Sequence, residues 1–543
     1  MYAQNPIKSK RIWYLTSDMK NRLIIPEQDR HQIEILSMED MVANESPVRL
    51  VDAFVERLDL DKLGFTITTT RFEGRPSFRP QLFLKLYLYG YLNGIRSSRR
   101  LERECGRNIE AMWLLGRLVP NYHSIADFRK DNPQALKNTF KLFVLFLKDS
   151  GLVSGKTVAI DGSKFRASNS KKNNYNPKKI ARHLKYIEEK SAEYLAELDK
   201  MDKEETTPVK IQDIKAKLDK LSKSKLNYEL IGQKLEQSGE PQLSTTDPDA
   251  RALLVQGQVV EVSYNMEVAV DEKHKLPIAT HVINRNDRNA LHDIAIEAKQ
   301  NVGEKEITAI SDKGFHNGRE LEKCKTDHII TICAQPEVVN SNEYGTTPDY
   351  LVSQFKYDKE NDTYTCPAGQ ILKTKGTWHK KTRERDSYNF KKYRTPACKG
   401  CPVKHLCTGK AKGGREIERS EFAQAIEENA ARYRANKELY RKRQEWNEHI
   451  FGTIKRKWGY IFTDLRGLKK VNGELNLIMT VYNFRRCISI LGHKDFLEKI
   501  KKWTPDYSKI LPFFKNMAHL LQLWCTMIFR CCNISPNFAI AIA

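Results

Sequence analysis

The sequence predicts a multidomain α+β protein, with a helical N-terminal part and a core built on a mixed β-sheet. Three observations lead to this fold class. The chain has 543 residues, which is enough for two to four domains of ordinary size. Apolar residues recur at three- and four-residue spacing across residues 46–148, as in amphipathic helices. Short runs rich in β-branched residues at 157–160 and 307–311 instead favour buried strands.

The N-terminal segment, residues 1–150, is predicted to be a helical domain. Its periodic stretches are Pro47–Leu58, Pro80–Asn93 and Arg99–Leu115, and the run 74–80, which contains Gly and Pro, breaks the pattern before a helix start. Arginines are interleaved with apolar residues in and before the third stretch. They favour contact with a polyanion such as DNA, although the solvated basic face of a helical bundle would show the same pattern.

Residues 151–330 are predicted to hold the first part of the sheet core, interrupted by a charged helical insertion at 177–240. Within the insertion, Thr206-Thr207-Pro208 separates two amphipathic halves, so a long helical hairpin is expected. The hairpin would suit a spacer, a dimer contact or an arm that tracks along DNA, and equally a solvated insertion without a partner. The remaining predicted core elements are strands at 157–160, 259–270, 276–283 and 307–311 and a helix at 290–299.

The rest of the chain divides into three segments. Residues 331–429 are predicted to be an irregular, Cys-rich insertion. Residues 430–500 are predicted to form the last helices of the core. Residues 501–543 are a C-terminal tail to which the sequence assigns no role.

Composition narrows the class of function. Lys and Arg number 92 and Asp and Glu 68, which gives a net charge of +24, and nucleic acid is the commonest partner of so basic a chain. A merely basic protein is the alternative. Residues 1–25 carry no apolar signal-like core, and the apolar stretch Met517–Phe529 is too short to span a bilayer. We therefore expect a soluble, cytoplasmic protein.

Two predicted strands each end in an aspartate beside glycine, in Asp161-Gly162 and in Asp312-Lys313-Gly314. If the strands are parallel neighbours, the two carboxylates lie side by side, where they share a proton or bind a cation. Mg²⁺ or Mn²⁺ fits, because hard cations prefer oxygen ligands. Taken alone, a strand-terminal aspartate is more often a turn or cap residue.

A third carboxylate is predicted at Glu448. Seven residues separate it from Lys455, which places both on one face of a regular helix. Lys455 would then contact a phosphate near the metal. Glu445, one turn earlier, is the rival.

A cysteine cluster, Cys366, Cys398, Cys401 and Cys407, has the spacing of a four-thiolate structural Zn²⁺ site. Such a site would hold together a segment that has little apolar core. Free thiols are the alternative, and His405 is a candidate substitute ligand.

These motifs together resemble the bacterial insertion-sequence DDE transposases of the class with a Tyr-Arg-Glu-Lys signature. The resemblance extends over residues 40–490, and one departure is that five residues separate Arg443 from Glu448, where four is commoner in the family. The motifs that carry it are Gly-Arg-Pro-Ser-Phe-Arg-Pro at 74–80, Val-Ala-Ile-Asp-Gly-Ser-Lys at 158–164, Ser-Asp-Lys-Gly-Phe at 311–315, and Tyr440, Arg443, Glu448 and Lys455.

The resemblance implies a ribonuclease-H-like catalytic core behind a helical DNA-binding domain. It implies that the catalytic acids Asp161, Asp312 and Glu448 hold two Mg²⁺ or Mn²⁺ ions, and that Tyr440, Arg443 and Lys455 bind DNA phosphates. The expected activity is cleavage at the ends of a mobile element and joining of those ends to target DNA, by a homodimer on DNA. The alternatives are a catalytically inactive DNA-binding relic and a metal-dependent nuclease without strand transfer.

Overall fold

The computed structural model describes residues 36–66, 77–203, 208–255, 259–336, 346–383, 386–410 and 412–509. The chain forms a multidomain α+β fold. Three features of the sequence lie outside the described residues: Gly74, Arg75 and Pro76 of the 74–80 motif, the Thr206-Thr207 break and the tail from residue 510 onward. Among the described helices, none is long and apolar enough to cross a membrane.

The N-terminal part is helical, as the sequence predicts. Proline occupies the first turn of three of its helices, where a missing N–H costs nothing. The predicted helical stretch Arg99–Leu115 is two helices, because the side chain of Asn108 caps the backbone N–H groups of a second one. The helices are α1 (Met38–Met41), α2 (Pro47–Glu56), α3 (Leu60–Leu63), α4 (Pro80–Leu92), α5 (Ser98–Arg107), α6 (Ile109–Leu114), α7 (Tyr122–Asp131) and α8 (Pro133–Asp149).

A six-stranded mixed sheet forms the centre of the molecule. Its strands are β1 (Thr157–Arg166), β4 (Arg251–Val255), β5 (Val259–Asp271), β6 (Pro277–Ile283), β7 (Ile307–Ser311) and β8 (Ile329–Cys333). Strand β1 pairs antiparallel with β5 and parallel with β7, which pairs in parallel with β8. Helices α11 (Leu291–Val302) and α12 (Gly318–Thr326) connect β6 to β7 and β7 to β8. Strands β4 and β8 and helix α12 have no counterpart among the elements predicted from the sequence.

The predicted end of the first strand at Asp161 is wrong. Strand β1 continues to Arg166, because the 13-residue β5 provides a hydrogen-bonding partner along its full length. Asp161 therefore lies in the middle of a strand.

The charged insertion is a helical hairpin, as predicted. Its helices α9 (Pro177–Lys203) and α10 (Pro208–Ser238) pack against each other, and the short strands β2 (Asn174–Tyr175) and β3 (Leu243–Ser244) pair where the hairpin leaves the sheet. Its small apolar cluster is separate from the main core.

The prediction that 331–429 is irregular is wrong for its described residues. They contain a five-stranded antiparallel sheet with its own small core around Tyr393. The elements are β9 (Lys356–Asp358), β10 (Thr363–Thr365), β11 (Ile371–Arg383), β12 (Asp386–Arg394), the short helix α13 (Lys404–Cys407) and β13 (Ile417–Ser420). We call this sheet and its turns the Cys-rich module.

Three helices complete the core: α14 (Ala423–Ala435), α15 (Lys437–Gly452) and α16 (Leu468–Lys502), with a π-helical turn at Thr453–Lys457 between the last two. The side-chain amide of Asn429 donates to the Cys333 carbonyl at 2.8 Å and accepts from its N–H at 2.9 Å, which ties α14 to the end of β8. One continuous apolar core joins the N-terminal helices, the central sheet and α16.

Buried charges reinforce this union. Arg129 of α7 and Arg96 lie within 3.3 Å of Asp464, and Arg96 also lies 3.3 Å from Glu474 of α16, whose side chain is 1% exposed. Arg96 also lies over the ring of Tyr460. Arg96, one of the arginines that the sequence interleaves with apolar residues, therefore makes its contacts inside the fold.

Candidate active site

Asp161 and Asp312 lie next to each other at the centre of the sheet. Ile160 of β1 is in register with Ser311 of β7, and the two aspartates are the residues directly after this pair. Neighbouring strands are about 4.8 Å apart. The predicted juxtaposition of the two carboxylates on parallel strands is therefore present.

The environment of Asp161 combines burial with mixed charge. Burial raises the pKa of Asp161 to about 6; the Arg443 guanidinium opposes this shift, while the carboxylates of Asp312 and Asp287 add to it. Arg443 Nη1 lies 3.3 Å from Asp161 Oδ2. The other carboxylate oxygen accepts the N–H of Gly162 at 2.9 Å.

Asp312 caps a single turn of 3₁₀-helix, Lys313–Phe315, and its Oδ1 accepts the N–H of Gly314 at 2.8 Å. Its carbonyl accepts the thiol of Cys333, at the end of β8, at 3.1 Å. These bonds fix the backbone that carries the second aspartate.

Helix α15 packs across β1, β5 and β7, and the π-helical turn that follows it brings Lys455 to β1. The Lys455 ammonium donates to Ser163 Oγ at 2.6 Å and to the Lys164 carbonyl at 2.5 Å. Burial, and to a lesser extent the charge of Lys164, lowers the pKa of Lys455 to about 8. Lys455 is therefore half-buried, and it loses its positive charge in mildly alkaline solution.

Tyr440 lies one turn before Arg443 on α15 and packs edge-on against Tyr433, with ring centroids 4.9 Å apart. Burial raises the pKa of Tyr440, and the field of Asp312 contributes in the same direction. The tyrosine hydroxyl thus remains protonated and available to donate a hydrogen bond near the second aspartate.

Glu448 is not brought to the two aspartates in this structure. It is exposed and accepts a hydrogen bond from Gln444 at 2.6 Å, whereas the preceding residue, Asn447, is fully buried. The expectation that Glu448 and Lys455 share a helical face is wrong, because the π-helical turn at Thr453–Lys457 holds an extra residue and rotates the helix beyond it. The rival Glu445 is exposed as well.

Within the part of the chain that the structure describes, no three His, Cys, Asp or Glu side chains are arranged to hold a metal ion. The aspartate pair is the centre of the candidate site.

Sequence reasoning missed one acid at this site, Asp287. It begins a single 3₁₀ turn after β6, where its Oδ1 accepts the Asn265 amide at 2.6 Å and its Oδ2 lies 3.2 Å from the ammonium of Lys164. A signal was present: the polar run Asn284–Asn289 comes directly after a predicted strand and precedes a helix.

The four clustered cysteines line a single cavity in the Cys-rich module. The Cys366 thiol accepts the N–H of Gln370 at 3.2 Å, in the tight turn between β10 and β11. Burial raises the pKa of the Cys407 thiol, and the three other thiols add to that shift. His405 is exposed and does not line this cavity.

Two family models match the chain. Residues 365–488 match a model described as a transposase DDE domain, and this range covers the Cys-rich module from the end of β10 onward and α15. Residues 36–131 match a transposase domain, DUF772, over the N-terminal helices. Asp161 and Asp312 lie outside both matched ranges.

No curated protein and no solved structure matches the chain. Two separate matches to transposase families support an insertion-sequence transposase that processes DNA.

Proposed function

We propose that this protein is a DNA transposase that binds the ends of a mobile element, cleaves them and joins them to target DNA. The observation that carries the proposal is the side-by-side placement of Asp161 and Asp312, in a chain with two transposase-family segments. We also propose the more specific properties that the family resemblance implies. These are a ribonuclease-H-like core of the Tyr-Arg-Glu-Lys class and a homodimer that acts on DNA in the cytoplasm of a bacterium.

Mg²⁺ or Mn²⁺, as two ions, is the proposed cofactor, held by Asp161, Asp312 and Glu448. Carboxylate oxygens are the ligands that these hard cations prefer, and two like charges side by side at the centre of a sheet are stabilised by a cation. When bound, the ions supply activation of the attacking oxygen and neutralisation of charge at the phosphate.

Glu448 requires a change of helix register to join the pair. It lies five residues after Arg443, and Arg443 already lies against Asp161. Moving the extra residue of the π turn from 453–457 to a position before Glu448 would rotate Glu448 by about 100° into the buried position that Asn447 now occupies. Asn447 makes no side-chain hydrogen bond there, so little would be lost by its displacement.

The basic residues would bind and orient the DNA. Arg443 pairs with Asp161 through Nη1, while its buried Nε has no hydrogen-bond partner, and it would direct its guanidinium to a phosphate. Lys455 and Tyr440 would donate to neighbouring phosphate oxygens. Since phosphoryl transfer depends mainly on alignment and charge neutralisation, these contacts would position the scissile bond at the acids.

A structural Zn²⁺ in the Cys-rich module is the second metal of the proposal, with Cys366, Cys398, Cys401 and Cys407 as ligands after their thiols, which are not arranged around a metal position in this structure, converge on the ion. Its support is that all four thiols line one cavity and that the turn at Cys366 directs an N–H to its sulfur. Four thiolates are the usual ligand set of a closed structural zinc site.

Cleavage of a labelled DNA that carries the ends of the encoding element tests the function. The protein would be assayed in Mg²⁺ and in Mn²⁺, beside Asp161→Ala, Asp312→Ala and Glu448→Ala. Cleavage and joined products from the wild type, with variants that bind but do not cut, would support the proposal. Cleavage without joining would favour a nuclease, and binding without cleavage in either metal would favour a DNA-binding relic.

Asn447→Ala is the matched control for Glu448→Ala. If Asn447→Ala abolishes cleavage and Glu448→Ala does not, then the register shift does not occur and Glu448 is not the third acid.

A further inference from the structure

The two glycines beside the catalytic aspartates share one neighbour. A Cβ atom added to Gly162 would lie 2.5 Å from Oδ1 of Asp287, and one added to Gly314 would lie 3.5 Å from its Oδ2. Neither glycine has a positive φ, so backbone conformation does not require glycine at these positions. The Asp287 carboxylate occupies the space beside Gly162 and lies in van der Waals contact with the position beside Gly314, where Asp312 Oδ1 is nearer at 3.0 Å.

Two strands hold Asp287 in that place. Lys164 of β1 and Asn265 of β5 are register partners, and both bind its carboxylate, at 3.2 Å and 2.6 Å respectively. Asn265 is fully buried, and its own Oδ1 has no hydrogen-bond partner and lies 3.1 Å from the Cβ position of Gly162. A buried amide with an oxygen that lacks a hydrogen-bond partner destabilises the folded state. Here the same amide holds the carboxylate of Asp287 in place.

Three carboxylates therefore gather here, those of Asp161, Asp287 and Asp312, and they repel one another although the cations Arg443, Lys164 and Lys455 lie beside them. A divalent cation at the aspartate pair would relieve this repulsion.

We propose that Asp287 is a positioning acid of the metal site: held at Gly162 and Gly314, it fixes the backbone of both catalytic aspartates and adds the third negative charge that attracts the divalent cation. This inference rests on the proposed function. It does not depend on Glu448.

Mn²⁺ binding to the full-length protein, monitored by electron paramagnetic resonance of the free ion and without DNA, tests the inference. Loss of a residue that supports metal ligands typically weakens metal affinity about 10- to 100-fold, and we expect a loss of that size for Asp287→Asn. Asp293→Asn is the matched control, because it removes the same charge from an exposed carboxylate on α11. It should leave the affinity within about 3-fold of the wild type.

Asn265→Ala is the second variant, because it keeps every acid and removes only the amide that holds Asp287. We expect it to weaken Mn²⁺ binding as well, by about 10-fold. A melting curve for each variant shows whether it is folded; if Asp287→Asn is not, Asn265→Ala decides the question.

Asp161→Asn and Asp312→Asn in the same titration separate the two claims. If these lose Mn²⁺ binding while folded Asp287→Asn keeps wild-type affinity, only the inference about Asp287 is overturned. If the wild type does not bind Mn²⁺, or the aspartate variants bind it equally well, the proposed metal site fails and this inference fails with it.

Discussion

Arg443 Nη1 lies 3.3 Å from Asp161 Oδ2, so a helix beyond the Cys-rich module carries the counter-charge of an acid in the first strand of the sheet. The pair joins two parts of the chain that are almost 300 residues apart. It also makes the ionisation of Asp161 depend on the position of α15.

Arg443→Gln should shift the pH dependence of metal binding upward. Burial holds the pKa of Asp161 at about 6 with Arg443 opposing the rise, so removal of the guanidinium raises that pKa further. A protonated carboxyl group does not ligate a cation, so wild-type Mn²⁺ binding should fall below about pH 6 and binding by the variant should fall at a higher pH. Mn²⁺ titrations from pH 5 to pH 8 measure both midpoints. Arg441→Gln, an exposed position on the same helix, should leave the midpoint unchanged; an equal or lower midpoint for Arg443→Gln would contradict the prediction.

Lys455 should make DNA affinity fall in mildly alkaline solution. Because burial lowers its pKa to about 8, the ammonium is charged at pH 7 and largely neutral at pH 9. Loss of one charged contact with a phosphate should weaken binding by about 10-fold. In Lys455→Arg the charge persists, so fluorescence anisotropy with a labelled duplex should show a flatter pH profile. Lys457→Arg changes an exposed lysine two residues later and should retain the wild-type pH profile. If Lys455→Arg also retains the wild-type profile, Lys455 is not the source of the alkaline loss of DNA affinity.

Zinc content tests the Cys-rich module. The purified chain should contain about one Zn²⁺, and Cys398→Ser should lose it and melt at a lower temperature, because bound metal stabilises the folded state. Elemental mass spectrometry and thermal unfolding give the two readings. Cys487→Ser, on α16 outside the thiol cavity, should keep its zinc. A wild-type protein that contains no zinc after purification without chelators would rule the site out.

The buried ion cluster predicts a large loss of stability for one substitution. Glu474→Leu leaves Arg96 and Arg129 with Asp464 as their remaining carboxylate and removes the acceptor of the Asp464 and Leu465 N–H groups, which should lower the free energy of unfolding by about 3–5 kcal/mol. Denaturant unfolding measures this loss. Glu498→Leu, in the part of α16 that follows the kink at Gly492, removes an exposed carboxylate and should change stability by about 0.5 kcal/mol or less. Comparable effects of the two substitutions would mean that the cluster contributes little.

The sequence predicted best where a local pattern decides the structure. Strand β7 matches its predicted range, because an apolar run rich in β-branched residues ends directly at Asp312-Lys313-Gly314. Strand β1 was predicted too short, because its polar second half is extended only by pairing with β5. The long strand β11 was missed because it carries many lysines and little apolar alternation, and pairing with β12 supplies its order.

The same difference between local patterns and long-range pairing applies to the candidate site. The neighbouring positions of Asp161 and Asp312 arise from two apolar strand runs that the sequence marks. The orientation of Glu448 depends on where the helical path through α15 and the π turn accommodates one extra residue. The spacing of apolar residues in the sequence does not indicate that position. Asp287 is drawn to the aspartates by Asn265 and Lys164 across a register that only the folded sheet defines.

The amide of Asn429, bonded to both backbone groups of Cys333, has an evolutionary consequence. The chain leaves the central sheet at Cys333 and has returned to it by Asn429, so the whole Cys-rich module begins and ends at one anchored point. Inserted units are tolerated where their two ends lie close together. Removal or exchange of the module at this point, in evolution or by design, would thus leave the positions of Asp161 and Asp312 in the central sheet unchanged.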